Sequence, residues 1–344
     1  MRKIFSDIVC NERQKDVIAR HIAFDKNSHA YIISGPAGSG KKTFAKLIAA
    51  ALECEHKHDD AYPLPCKKCN SCDKILFENA VDVTYIKRPE SKAFIQVDQI
   101  RELQKEVYIS STEQQNKIYI IEEAHLMNEQ SQNAFLKILE EPPKNVVFLL
   151  LSENNEALLE TIKSRAQSFS LDPVPADKMR EYLVTNSKKA AALNAGDPDA
   201  LAEIIASSDG SIGTALAYLD AKAQKNLLAK RSIVKDFISL LAAKRDRSAL
   251  FEFLTSIPQK RDDLVEFFTL ATLALRDLAV CKKSTNAPTC FYGTRKEAES
   301  ASELFSISGI FCILDSVSVA KSSLEESANI SVTLANLFCE LQKR

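Results

Sequence analysis

Residues 30–43 read AYIISGPAGSGKKT, and the fold turns on this stretch. An apolar run at Tyr31, Ile32 and Ile33 meets a glycine-rich turn, then a lysine, then a helix-like segment at 44–52. That order predicts a strand, a phosphate loop and a helix. The pattern G-x-x-x-x-G-K-[ST] lets consecutive backbone N–H groups curl round phosphate oxygens. The lysine adds a point charge, and the helix N-terminus adds its partial positive charge. Gly35, Pro36, Gly38, Ser39, Gly40 and Lys41 make up the loop. The next place should carry a hydroxyl for Mg²⁺, and it carries Lys42, with Thr43 one residue late. The loop therefore reads as built to hold phosphate but poorly built to hold a magnesium nucleotide for hydrolysis. Binding of ATP or ADP stays open. Lys41 and the backbone nest favour it, whereas Lys42 could fill the pocket with no ligand present.

Outward from the loop, short apolar runs alternate with helical patterns. Strands are predicted at 81–86, 117–121, 146–151 and 167–171, and helices at 96–107, 131–141 and 156–162. Residues 1–28 also carry a helical pattern, and Pro142-Pro143 stops the helix before it. The run VVFLLL at 146–151 is continuously apolar, as in a strand buried on both faces. Alternation of this kind specifies an α/β domain with a doubly wound parallel sheet. Glu122 and Glu123 end the 117–121 run, where such sheets place ligand chemistry. In a P-loop ATPase the first acid would organise Mg²⁺ and the second would activate water. Here the first is Glu122, one methylene longer than the usual Asp. A solvated strand end is the plainer alternative. Arg165 sits in an exposed context, either as a surface ion pair or as an arginine finger reaching a neighbour's phosphate.

Cys66, Cys69 and Cys72 form C-x-x-C-x-x-C, with Cys54 upstream. Four thiolates so spaced can converge on one tetrahedral ion, and a closed set of four sulfurs points to structural zinc. Four buried free thiols are the alternative, and an iron–sulfur cluster lacks a redox role here. His56 and His58 read as solvated loop residues, though one could replace Cys54.

The chain has 344 residues, 45% hydrophobic and 26% charged, with nine cysteines and a net charge of −1. Bulk charge does not attract polyanions, so DNA contact needs a local patch such as Lys87, Arg88 and Lys92, for which a solvated face is the plainer account. No stretch approaches the roughly 20 apolar residues of a membrane span, and residues 1–16 lack an apolar signal core. The cytoplasm is the expected compartment, with cysteines reduced. Residues 173–219 read as helices at 175–186, 198–207 and from Thr214, and 221–344 reads as helical only. Cys281, Cys290, Cys312 and Cys339 lack ligand spacing.

Together these residues resemble clamp-loader subunits of the AAA+ class, those of bacterial DNA polymerase III. The matching stretches are HAYIISGPAGSGKKTFAK at 29–46, the cysteine quartet, KIYIIEEAHLMNEQSQNAFLKILEEPP at 117–143, TIKSRAQ at 161–167 and GSIGTAL at 210–216. The remainder matches only in being helical. The resemblance implies an AAA+ P-loop domain at 1–172 with a zinc-binding insertion, a helical lid at 173–219 and an all-α collar at 220–344. It implies that Gly35, Gly40 and Lys41 are the phosphate loop, Glu122 and Glu123 the acidic pair, and Ser152 the sensor-1 polar residue. Arg165 matches the arginine of the Ser-Arg-Cys motif, and Cys54, Cys66, Cys69 and Cys72 match the zinc ligands. Three departures follow: Lys42 for the Mg²⁺ hydroxyl, Ala166 for the motif's cysteine, and Gly213 for the sensor-2 arginine. They resemble the delta-prime kind of subunit. The expectation is a subunit that is not an ATPase alone, with Arg165 acting in trans and Glu123 a vestigial base. It would sit in a ring with gamma/tau-like and delta-like subunits that loads a sliding clamp on primed DNA. The alternatives are a gamma/tau-like hydrolysing subunit and a zinc-stabilised scaffold with other partners.

Overall fold

The computed structural model describes residues 2–25, 27–89, 92, 94–243, 247–284, 289–292, 294–325 and 328–342. Five strands, β1 (Ala30–Ser34), β2 (Val83–Ile86), β3 (Lys117–Ile121), β4 (Val146–Ser152) and β5 (Gln167–Ser170), form one sheet in the order β2-β3-β4-β1-β5. Every pairing is parallel, with Ser34 beside Ser152 at the carboxyl ends of β1 and β4. Helix α1 (Glu12–Ala23) precedes β1, and between the strands run α2 (Lys41–Leu52), α3 (Asn70–Leu76), α4 (Val97–Glu106), α5 (Glu129–Glu140) and α6 (Glu160–Lys163).

Strand alternation divides the core. On β1, Tyr31 and Ile33 point to one face, where they meet Phe44, Leu47 and Ile48 of α2. Ala30 and Ile32 point to the other, where they join Ile100 and Leu103 of α4 and Phe135 and Ile138 of α5. Both faces are covered, which is why β1 and β4 are buried throughout and apolar up to their closing serines. Phe135 is fully buried and edge-on to Phe148 at 5.2 Å. Its truncation to Ala costs about 3–5 kcal/mol. Asn128 caps α5 by accepting from the Ser131 N–H at 2.8 Å, and the helix stops before Pro142 because Glu141 is driven out of the helical region.

The helix expected across 1–28 is confined to 12–23; the segment before it runs beside Leu64 instead. The strand expected from 81 begins at Val83, leaving Val81 exposed. The helix expected at 156–162 is split. Leu158 is extended (φ −89, ψ 136) so that its side chain enters the core, between a 3-10 turn at Asn155–Ala157 and α6.

The chain divides into two compact units, residues 1–182 with 210–213, and 183–209 with 214–344. The second holds α8 (Lys188–Gly196), which the sequence did not suggest, α9 (Pro198–Ser207), α11 (Ala221–Ala243), α12 (Arg247–Ser256), α13 (Arg261–Lys283), α14 (Arg295–Glu303), α15 (Ile307–Glu325) and α16 (Ile330–Gln342). Two helices straddle the division, α7 (Ala176–Asn186) and α10 (Ile212–Tyr218). In the second unit Phe237, Phe268, Leu275, Leu278 and Val317 share a core. Asp277 is buried within it and accepts the N–H groups of Cys290, Phe291 and Tyr292. One window of α15, Ile307–Leu324, has mean hydropathy 1.4 and is long and apolar enough to cross a membrane, contrary to the sequence expectation. Its Ile310, Ile313, Val317, Ala320 and Leu324 recur at helical spacing and lie in this core, while Phe311 and Val319 are exposed.

Candidate phosphate-loop site and cysteine centre

The loop leaves the carboxyl end of β1 and enters α2 through Gly40, whose φ of +91° suits a residue without a Cβ. Lys41 folds back on the loop. Its Nζ donates to Gly35 O and Pro36 O, both at 2.7 Å, and lies 3.5 Å from Glu153 Oε1. Burial pulls its pKa down, and Glu153 only partly opposes that. Ser39 Oγ is buried without a hydrogen-bond partner. Gly213 closes the loop from outside, its N–H donating to Gly38 O at 3.1 Å. A Cβ there would sit 3.0 Å from Gly38 O and 3.1 Å from Gly38 Cα, so a side chain at 213 requires the Gly38 backbone to give by a few tenths of an ångström.

Lys42 heads away from the loop. Its Nζ lies 2.9 Å from Glu122 Oε1 and 3.5 Å from Glu78 Oε1. Lys87 reaches the same Glu122 oxygen at 3.4 Å, and Lys46 pairs with Glu78. The Tyr85 ring lies beneath both Lys42 and Lys87, at 5.5 and 5.8 Å. Burial pushes the Tyr85 phenol up to about 12. Burial alone would lower the Lys42 pKa, but Glu122 and Glu78 outweigh it and hold the ammonium above its ordinary range. Glu122 thus already carries two cations, and a divalent ion must displace them against their repulsion. Thr43 cannot stand in for the missing hydroxyl, because consecutive helical residues point about 100° apart.

Glu123 takes a left-handed conformation (φ +52°) and pairs with Arg88 at 3.4 Å. Two of the three residues that sequence offers to DNA phosphates, Lys87 and Arg88, are therefore engaged with the acidic pair, while Lys92 is exposed. Ser152 is buried at the end of β4 and donates to Asn154 O at 2.9 Å. Arg165 lies just past α6, with Nη2 3.2 Å from Glu140 Oε1 and Nη1 on Thr161 O.

The four cysteines come together, each buried, with all four sulfurs within 4.8 Å of one another and Cys66–Cys72 at 3.9 Å. A tetrahedral ion with bonds of about 2.3 Å to sulfur separates its ligands by about 3.8 Å, so the set fits. Burial opposes ionisation of Cys66, but N–H groups of Lys68 and Cys69 point at its sulfur and hold its pKa below the usual thiol range. Burial raises that of Cys54. Neither histidine replaces Cys54: His56 stacks on Tyr62 at 4.0 Å, and His58 faces Asp25.

Residues 10–175 match the family model described as DNA polymerase III, delta subunit. The Bacillus subtilis DNA polymerase III subunit tau is 30% identical over 291 residues, 81% of this chain and 50% of that relative. The gamma subunit of Buchnera aphidicola is 32% identical over 216 residues, 63% of this chain and 57% of the relative. For the Escherichia coli tau subunit the figures are 32% identity, 63% and 32%. The chain is similar to DNA polymerase III subunits of the delta and gamma/tau kinds. It spans between 32% and 57% of the length of these curated relatives. A solved gamma subunit-related protein of Thermotoga maritima covers 96% of this chain and 98% of its own at 18% identity, with a TM-score of 0.42.

The parallel sheet with its phosphate loop after β1 is the α/β P-loop architecture expected from sequence. Sequence reasoning singled out Lys42 and Glu122 separately and missed that they meet. It also missed Glu78, which binds Lys42 and Lys46 from the turn after α3. The one available signal was the Lys42–Lys46 pair at i, i+4, two cations on one helix face calling for an acid.

Proposed function

We propose that the chain is a delta-prime-like subunit of the bacterial clamp loader. In this reading it joins gamma/tau-like and delta-like subunits in a hetero-oligomeric ring that places a sliding clamp on primed DNA, in the cytoplasm. It does not turn over ATP itself, and it lends Arg165 to ATP held by a neighbour. The carrying observation is the Lys42 ammonium 2.9 Å from Glu122, an ion pair where a hydrolysing subunit needs magnesium. Gly213 supports it, since a side chain there would crowd the Gly38 backbone at 3.0–3.1 Å. Arg165 is free to be shared. Its pairing with the exposed Glu140 is worth about 0–1 kcal/mol, and a phosphate offers a stronger, bidentate partner.

Zinc is the proposed occupant of the cysteine centre, held by Cys54, Cys66, Cys69 and Cys72 in a closed, structural role. Gly35, Pro36, Gly38, Ser39, Gly40, Lys41 and Ser152 remain the proposed contacts for any ATP or ADP, with Glu123 a vestigial base held by Arg88. The proposed working parts are a P-loop domain at 1–172, a lid at 173–219 and a collar at 220–344.

The test mixes Arg165→Ala chain with hydrolysing partner subunits, clamp and primed DNA, and reads ATPase. A fall of roughly 10³-fold at the affected site is expected from loss of a finger. Unchanged stimulated turnover would sink the trans role. The names of the relatives favour a second reading, a gamma/tau-like hydrolysing subunit. Appreciable ATP turnover by the purified chain alone would select it.

A further inference from the structure

We infer that the cysteine centre acts on the phosphate-loop face through the N-terminal segment 2–8, with Arg2 as the positioning residue. The inference rests on the reading of the four cysteines as a metal centre. Arg2 Nε donates to Tyr62 O at 2.9 Å, Nη1 to Lys57 O at 2.8 Å and Nη2 to His56 O at 3.0 Å. Asp60 balances its charge at 3.5 Å. All these partners lie in the loop joining Cys54 to Cys66. The side chain is 12% exposed, which is unusual for an arginine. Backbone pairing extends the contact, with Leu64 N on Lys3 O at 2.9 Å and Phe5 N on Leu64 O at 2.8 Å. Lys67, between two of the cysteines, pairs with Asp7.

The other side of the segment meets the phosphate loop. Phe5 is fully buried and stands edge-on to Phe44 in the first turn of α2, with ring centroids 5.5 Å apart. Ile8 Cδ1 lies 3.9 Å from the place a Cβ on Gly40 would occupy. Phe5, Ile8, Phe44 and the four cysteines share one hydrophobic core.

A guanidinium presents its donors in a fixed fork, so three carbonyls satisfy it together only if the loop holds one shape. The 54–66 loop has turns and one isolated bridge but no helix or ladder of its own. An ion that ties Cys54 to Cys66, Cys69 and Cys72 fixes that shape. The segment then docks as a strap, seating Phe5 and Ile8 against the entrance to α2. By linkage, order in the strap and affinity for the ion favour each other equally.

The test is amide hydrogen exchange on the full chain, wild type and Arg2→Ala, each zinc-loaded and chelator-treated, with zinc content measured in parallel. Zinc-loaded Arg2→Ala is expected to keep its zinc while exchange at 2–9 and 40–44 accelerates roughly tenfold or more. Chelation should produce the same acceleration in the wild type and add little in Arg2→Ala, because both act along one path. Arg2→Lys, which keeps the charge and loses the fork, should match Arg2→Ala. If chelation also melts β4, the zinc-loaded proteins alone decide. Wild-type protection at 2–9 and 40–44 in loaded Arg2→Ala overturns the coupling. A wild-type chain that takes up no zinc overturns the metal reading, and the coupling with it.

Discussion

The phosphate loop and the cysteine centre are two candidate seats for a divalent ion among the described residues of the first unit, and they are finished in opposite ways. At the loop the protein supplies the cation: Lys42 and Lys87 both lie within 3.4 Å of one Glu122 oxygen. At the cysteine centre four sulfurs face one another, and the groups aimed at them are uncharged backbone N–H donors. A built-in ammonium is permanent and cannot carry a nucleotide's phosphates as magnesium does. Facing thiols call for an external ion that can be gained or lost. A hydroxyl at 42 would remove the nearer of the two cations from Glu122 and leave only Lys87, at 3.4 Å, for a metal to displace.

The comparison breaks most visibly at the cysteines. Cys66→Ser should lose bound zinc and several kcal/mol of stability, on the order of 10 °C in Tm, read by elemental analysis and thermal unfolding. Retained stability would mean that the core around Cys72 holds without an ion. Next in size, Lys42→Thr should create magnesium-dependent nucleotide binding, with affinity rising roughly tenfold or more when Mg²⁺ is added, as calorimetry would record. Glu122→Gln should cost less than about 1 kcal/mol, because its partners are partly exposed and Lys42 keeps Glu78. Urea unfolding reads that small difference.

The two seats should also fail at opposite ends of the pH scale. The pKa of Lys42 is raised by its acids, so the pair contributes fully below the ordinary lysine pKa and is lost as pH climbs through the raised value. Metal held by thiolates is instead displaced by protons as pH falls. Zinc release on acidification, with the contribution of Lys42 (wild type minus Lys42→Met) fading only in alkali, would sharpen the contrast. Loss of both at the same end would break it.

The parallel α/β sheet was legible because its cues are local. The loop glycines and the run at 146–151 each carry their meaning in a few residues. So was the cysteine set, whose C-x-x-C-x-x-C spacing fits one turn feeding α3. Strand order was not, since nothing in β2 or β5 names its neighbour. Helix α8 escaped because KKAAALNAG has no apolar stripe, its start instead being set by Ser187, which caps it through the Ala190 N–H. The Lys42–Glu122 pair was hidden by the separation of its partners, one opening a helix and the other ending a strand. Arg2 was hidden for the same reason, with carbonyls more than 50 residues away.

The most direct measurement is equilibrium binding of ATP to the purified wild-type chain at rising Mg²⁺. With Lys42 on Glu122, the affinity should not increase with the metal, whatever its starting value. An affinity that climbs tenfold or more with Mg²⁺ would show a working magnesium seat and contradict the account.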